Sequence, residues 1–492
     1  MIKDETIEKI TTMIQVVVLM IGVGYLIVRS LDPATSFYYD YKYHLVRLKI
    51  FLEYGPFDNP TELSHYPTFF QFPPAYLVIG KLISFIVPDS SKIFALENLL
   101  GILLGYIIIH YFIVNVFQKT KKEALKIFLL IFGNGYFIGY NIIFGRIGDY
   151  WGAILSLPYL FYGIYVCSKG LPKLKETFIL GLLFGIGFLG YFFIPLIISI
   201  YIGMLFIFRY HNKINIPIVI KYLITGVMGA LIITGWYLFP LVNTYNKYTV
   251  LDLTIYHISR SSRLFLSSIF TICWMILTVL IKLKNNKTKG LTIDEKAYVL
   301  FLIIITLVMI INSILKFQII PFPLNQIWNW TYITSFIIIS SLYFTENGYK
   351  KLVFISFGLI FLINTIYNAP PVNCDGYQEI EMIGNRINPS ATYLMINRIP
   401  LKCGRTILEY THPELTSSTS QTFEWNYYEI ERYGKKLEEK RFNLSCEDLN
   451  YTLFNKYNIT YLILPAPVNL SCPDLKNEFC GKYYCLYKIN TQ

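Results

Sequence analysis

Eight side chains in this sequence have the types and spacing for acid, base and anion chemistry, and they fall into three groups. Asp40, His44 and Arg47 stand at i, i+4 and i+7 in YDYKYHLVRLKIFLEY, on one face of a helix. Arg146 and Asp149 lie in FGRIGDYWG (144–152), and His257, Arg260 and Arg263 lie in YHISRSSR. A carboxylate beside imidazole and guanidinium groups is a general base next to a cationic clamp, and two carboxylates converging from different loops make a hard oxygen site for a divalent cation. The two arginines at i, i+3 present planar forks that suit a phosphate. Each group also has a plainer reading. Asp40 would cap an interfacial helix, Arg146 and Asp149 would satisfy each other between the anchors Tyr150 and Trp151, and the arginine pair would bind lipid headgroups.

The elements that must position these groups are membrane spans. Of the 492 residues 54% are hydrophobic and 15% charged, and mean hydropathy is +0.47, too apolar for a soluble protein of this size. The first apolar run, Thr11 to Val28, has no small-residue cleavage site after it and reads as a span rather than a leader. Measured against about 20 apolar residues per crossing, the chain is expected to hold roughly eleven spans: 11–29, 92–117, 126–144, 150–167, 177–190, 192–209, 221–242, 264–283, 298–315, 331–345 and 352–368. PPAYLVIGKLISFIVP (73–88) is apolar but short between prolines, and is expected to lie in the interface. Leu45, Leu48 and Leu52 are expected to form the apolar counter-face of the Asp40 helix.

The formal net charge of +12 sits largely in short clusters such as QKTKKEALK (118–126) and KLKNNKTKG (282–290). Placing them inside satisfies the positive-inside rule and leaves the amino terminus cytoplasmic. No basic groove or stacking motif accompanies the charge, so no nucleic-acid partner is expected, only membrane lipids. On this topology the first loop (30–91), the 144–152 turn, the loop 243–263, the loop 316–330 and the tail all face outward. The expected architecture is a polytopic α-helical domain, 1–368, followed by an extracellular mixed α/β domain, 369–492. In the tail TYLMINRI (392–399), ITYLILPA (459–466) and KYYCLYKI (482–489) read as strands and 424–441 as a helix. Six of the eight cysteines and four sequons, at Asn443, Asn450, Asn458 and Asn469, lie in that tail, as an oxidising and glycosylating exterior requires. Six cysteines leave fifteen pairings open.

With these residues in place, the chain resembles the GT-C superfamily of integral-membrane glycosyltransferases, and within it the oligosaccharyltransferase catalytic subunit and related archaeal membrane proteins. The resemblance is carried by a first span, then D-x-x-x-H-x-x-R at Asp40, then EYGPFDNP and YPTFFQFPPAYLVIGKLISFI, and it covers about residues 10 to 170. It matches Asp40 to the family's first acidic position and Asp149 to its second. It implies inverting transfer of a sugar from a polyprenyl (dolichyl) phosphate-linked donor to a lipid or protein acceptor at the external face, with Asp40 as base and Asp149 orienting the acceptor. It also implies His44, Arg47, Arg146, His257, Arg260 and Arg263 around the substrate, and Mg or Mn held by Asp40 and Asp149. The second motif has one acid where a pair is common, and EWNYYE stands where a WWDYG sequence would be sought. A polytopic transporter or flippase and a non-catalytic scaffold presenting the tail remain as alternatives. The few charges within the spans weigh against the transporter.

Overall fold

The computed structural model describes residues 4–31, 74–143, 145–213, 215–245, 292–315, 334–343, 348–367, 392–395, 443–456, 459–466 and 470–490, with isolated positions from 44 to 52 and from 379 to 440. Two compact units divide the chain: Met1–Leu26, Pro73–Ile79 and Leu96–Asn364 form one, and Ile27–Phe72, Gly80–Ala95 and Thr365–Gln492 the other.

The first unit is helical, and its main helices are α1 (Asp4–Leu31), α2 (Ala75–Ser84), α3 (Ser90–His110), α4 (Lys121–Phe132), α5 (Gly135–Phe137), α6 (Ile147–Lys169), α7 (Leu174–Tyr191), α8 (Phe193–Tyr210), α9 (Ile216–Tyr245), α10 (Ile293–Leu315) and α11 (Gly348–Tyr367), of which α1, α2, α3 and α11 are shared between the units. Six stretches are long and apolar enough to cross a bilayer, Glu5–Val28, Lys92–Val116, Ile147–Lys169, Leu174–Tyr191, Phe193–Lys213 and Ile216–Phe239. Lys121–Phe132 and Gly135–Ile143 add a seventh if their 47° bend lies within one span. These correspond to the first seven expected spans. Helices also occupy most of 298–315 and 352–368 and part of 331–345, while 264–283 lies outside the described residues. The chain is a polytopic helical membrane protein.

The bend falls inside the expected span 126–144. Its cause is local: Gly133 ends α4, and the Asn134 side chain accepts the Tyr136 N–H at 2.9 Å to start a new helix. The short stretch 73–88 holds only the ten-residue α2, about 15 Å long at 1.5 Å per residue and too short to cross.

Close packing of α6 on α7 depends on missing side chains. A Cβ at Gly190 would stand 2.8 Å from Gly152 Cα, Gly152 N and Trp151 O, all backbone atoms that cannot step aside. In lipid, where apolar burial drives little association, such backbone approach supplies the van der Waals contact between helices. At the other end of α6, Arg209 on α8 donates to the Cys167 carbonyl at 2.8 Å and pairs with Asp294 of α10. Glu8 of α1 joins Lys126 of α4 at 2.5 Å and Lys351 of α11 at 3.2 Å.

In the second unit the tail holds a four-stranded sheet of order β1-β2-β4-β3, made of β1 (Thr392–Met395), β2 (Ile459–Pro465), β3 (Leu475–Cys480) and β4 (Tyr484–Ile489). β1 runs parallel to β2, and β4 is antiparallel to both β2 and β3. Side-chain alternation loads both faces: Leu462, Leu464, Cys485 and Tyr487 enter one core, Tyr461, Ile463, Tyr484 and Leu486 the other. Three strands fall where the sequence placed them; β3 was missed, because LKNEFC is an edge strand with mostly exposed side chains. Disulfides join Cys446 to Cys472 and Cys480 to Cys485, and Cys374 and Cys403 lie outside the described residues. The expected helix 424–441 is described at a few positions, of which 433, 436 and 437 are helical.

Asp448 anchors one end of this domain. Lys440 donates to it at 2.5 Å and the Ser445 N–H at 3.0 Å, which hold its carboxyl down to about 2. A folded-state value below the unfolded one, about 3.9, adds stability that is complete above that pH and disappears as pH falls through about 2. Acid titration of the full chain, followed by protease resistance of the tail, should therefore show a loss between about pH 4 and 2 that Asp448→Asn removes. Separately, Gly190→Ala should destabilise the helical unit by about 1–3 kcal/mol, read as a lowered unfolding midpoint in detergent.

Candidate active site

A polar layer lies where α3, α5 and α6 meet inside the helical unit. α5 runs into a π-helical turn, Ile138–Ile143, all of whose residues are buried. Such widened turns recur at functional sites because they rotate the residues that follow. Gly145 then takes φ +84°, a left-handed conformation that glycine adopts without strain, and α6 starts immediately after. Arg146 is its N-cap and Asp149 lies in its first turn.

The Arg146 Nε donates to Asp149 Oδ2 at 2.9 Å, and the two side chains are 9% and 1% exposed. Asp149 also stands in the first turn of α6, at the positive end of the helix dipole, where a negative group is favoured. The guanidinium also lies over the Tyr140 ring, 5.6 Å from its centroid, and Tyr140 stacks on Tyr136 at 5.4 Å. An acid and a base so oriented form a dipole with fixed direction, able to align hydroxyl groups or an anion brought against it.

The remaining sequence-predicted residues are distributed as follows. His44 is described and buried. It shares its helical face with Leu48 and Phe51, which are 0% and 5% exposed, so Leu48 is not on the counter-face expected for it. The reason is geometric, since i+4 returns to within about 40° of i on an α-helix. Asp40, Arg47, His257, Arg260 and Arg263 lie outside the described residues. Only Arg146 and Asp149 are therefore brought together by the described residues.

Arg146 and Asp149 supply a single carboxylate towards a divalent cation. Asp149 receives a guanidinium N–H on Oδ2, and no group of three potential ligands occurs among the described residues. The expected second ligand, Asp40, lies outside the described residues, so what is described at Asp149 is one carboxylate with one oxygen on a guanidinium.

Sequence reasoning missed one acid. Glu97 lies in α3, is 0% exposed, and neither carboxyl oxygen has a hydrogen-bond partner. The signal was a single acid in SSKIFALENLLGILLGY, near the start of an expected span. Asn141, in the π turn, likewise has both amide atoms unmet while 1% exposed.

No protein-family model matches the chain, and no curated protein matches it by sequence. Among solved structures it is similar to the Archaeoglobus fulgidus oligosaccharyltransferase in complex with Zn and sulfate. That likeness covers 92% of this chain and 68% of the other, at 13% identity and a TM-score of 0.48. It is also similar to ArnT from Cupriavidus metallidurans bound to undecaprenyl phosphate, over 96% of this chain and 97% of that one, at 10% identity and a TM-score of 0.45. The apo state of that ArnT gives 11% identity and a TM-score of 0.38. At this level the likeness assigns no residue role and no reaction.

Removing one member of the buried pair leaves the other charge bare. Asp149→Asn should therefore cost about 3 kcal/mol of stability, whereas Arg146→Met combined with Asp149→Leu should recover most of it; thermal unfolding of the purified variants in detergent measures both.

Proposed function

We propose that the chain is an integral-membrane glycosyltransferase that moves a sugar from a polyprenyl-phosphate carrier to a lipid or protein acceptor at the external membrane face. The observation that carries this reading is the ion pair of Arg146 and Asp149, set 2.9 Å apart and almost fully buried at the start of α6. A membrane protein keeps such charges inside a bundle at a cost, and the polar groups around them are of the kind that orient a hydroxylated substrate. The motif match of Asp40, His44, Arg47 and Asp149 supports the same reading.

The proposed chemistry needs four acts. An acceptor oxygen attacks the anomeric carbon while Asp40 takes its proton. The bond from that carbon to the carrier phosphate oxygen breaks on the opposite face, with inversion, and the electron pair leaves on the phosphate. His257, Arg260 and Arg263 stabilise the charge that develops there, and His44 and Arg47 flank the base. Asp149, fixed by Arg146, aligns the acceptor. A divalent cation, Mg or Mn, would be held by Asp40 and Asp149 and would supply charge stabilisation at the carrier phosphate; the four acts above are those of the side chains alone.

Loss of a general base costs about 10²- to 10⁴-fold in rate. Asp40→Ala in reconstituted protein should lose that much transfer from a radiolabelled polyprenyl-phosphate sugar with expression and unfolding midpoint unchanged. A fully active Asp40→Ala protein would remove the proposed base.

A further inference from the structure

The buried acid Glu97 is not used by the transfer chemistry above. It lies within the apolar stretch Lys92–Val116, where no solvent offsets an unmet polar atom. Its helix face is packed on the turn that carries Asp149. The Tyr150 hydroxyl donates to the Asn98 carbonyl. One turn below Glu97, Gly101 lies so close to α6 that a Cβ there would stand 2.5 Å from Tyr150 Cε1 and 2.7 Å from Ile154 Cδ1. Tyr150 also meets Phe137, 5.9 Å between ring centroids, and Asn141 follows Phe137 by four residues, on nearly the same side of the turn. The next residue of α6, Trp151, is 2% exposed and its Nε1 has no hydrogen-bond partner.

The three segments that meet at Tyr150 thus carry three buried side chains with five polar atoms without partners: both oxygens of Glu97, both amide atoms of Asn141 and Trp151 Nε1. Buried polar groups in native proteins are almost always paired, and a cluster of unpaired ones calls for a ligand or a function. Leucine or alanine would remove the cost at each position. The chemistry of the set narrows the ligand. It mixes acceptors and donors and adds no cation, so it is unsuited to phosphate. A carboxyl, an amide and an indole together match a polyol, each of whose hydroxyls donates once and accepts once.

We propose that Glu97, with Asn141 and Trp151, forms a hydroxyl-binding subsite that receives the sugar ring of the donor and selects it. This rests on the transferase reading above and deepens it. A site whose buried groups are satisfied only by the right hydroxyls rejects an analogue lacking them strongly, since the groups are then left unpaired.

The test uses the full-length protein in detergent, with synthetic polyprenyl-phosphate glucose, mannose, galactose and N-acetylglucosamine, and bare polyprenyl phosphate, as probes. Wild type should be thermally stabilised by at least one sugar-bearing lipid beyond the bare lipid. Glu97→Leu should unfold at the same temperature as wild type or higher, lose that increment, and lower transfer at least 100-fold through KM. Glu97→Gln, which keeps an acceptor and a donor, should retain part of both and serves if the leucine variant does not fold. No sugar-dependent increment in wild type, or an undiminished increment or transfer in Glu97→Leu, overturns the subsite. Absence of transfer by wild type overturns the transferase reading alone, and the sugar-dependent increment then decides the subsite by itself.

Discussion

Inside a bilayer a polar atom must find its partner within the protein, and the helical unit is arranged around that requirement. Its apolar surfaces need no explanation: α9 turns Leu223, Ile232 and Phe239 outward, each more than 60% exposed, as a lipid-facing helix does. The informative places are those where charge enters the bundle. Glu8 is met by two lysines, Asp294 by Arg209, and Asp149 by Arg146. Each pairing joins elements or fixes a turn, so the clamps also set the positions of the helices. Glu97 is the exception among these acids, since both its oxygens are unmet, and the exception lies beside the pair that the proposed chemistry uses.

The local backbone serves the same end. The break at Gly133 and Asn134, the π turn Ile138–Ile143 and the left-handed Gly145 follow one another within a dozen residues. Together they end one helix, rotate the chain and begin α6 with Arg146 and Asp149 facing each other. The bare backbones of Gly152 and Gly190 then hold α7 against that first part of α6. A larger side chain at either glycine would move the turn on which the ion pair depends.

The architecture was legible where it rests on composition. Long apolar runs mark spans whatever their sequence, and the strands Ile459–Pro465 and Tyr484–Ile489 are dense in tyrosine and leucine with both faces buried. Features set by packing were not legible. The edge strand Leu475–Cys480 is recognised by its partner β4 and not by its own polar residues. Leu48 was assigned to the wrong helix face by a spacing that the helical repeat itself corrects. Within the site, Asp149 stood out because a carboxylate at the mouth of a span is costly without a partner, and its contact with Arg146 was one of two readings the sequence left open. Glu97 and Asn141 carried no motif, and only burial reveals that their polar atoms are unmet.

The central claim is that this protein moves a sugar from a polyprenyl-phosphate carrier. The most direct measurement is a comparison of lipid-linked sugars and surface glycans between cells with and without the protein. The account predicts that cells lacking it accumulate one polyprenyl-phosphate sugar and lack the corresponding residue on one class of glycan or lipid. Identical lipid-linked sugars and glycans in the two would contradict it.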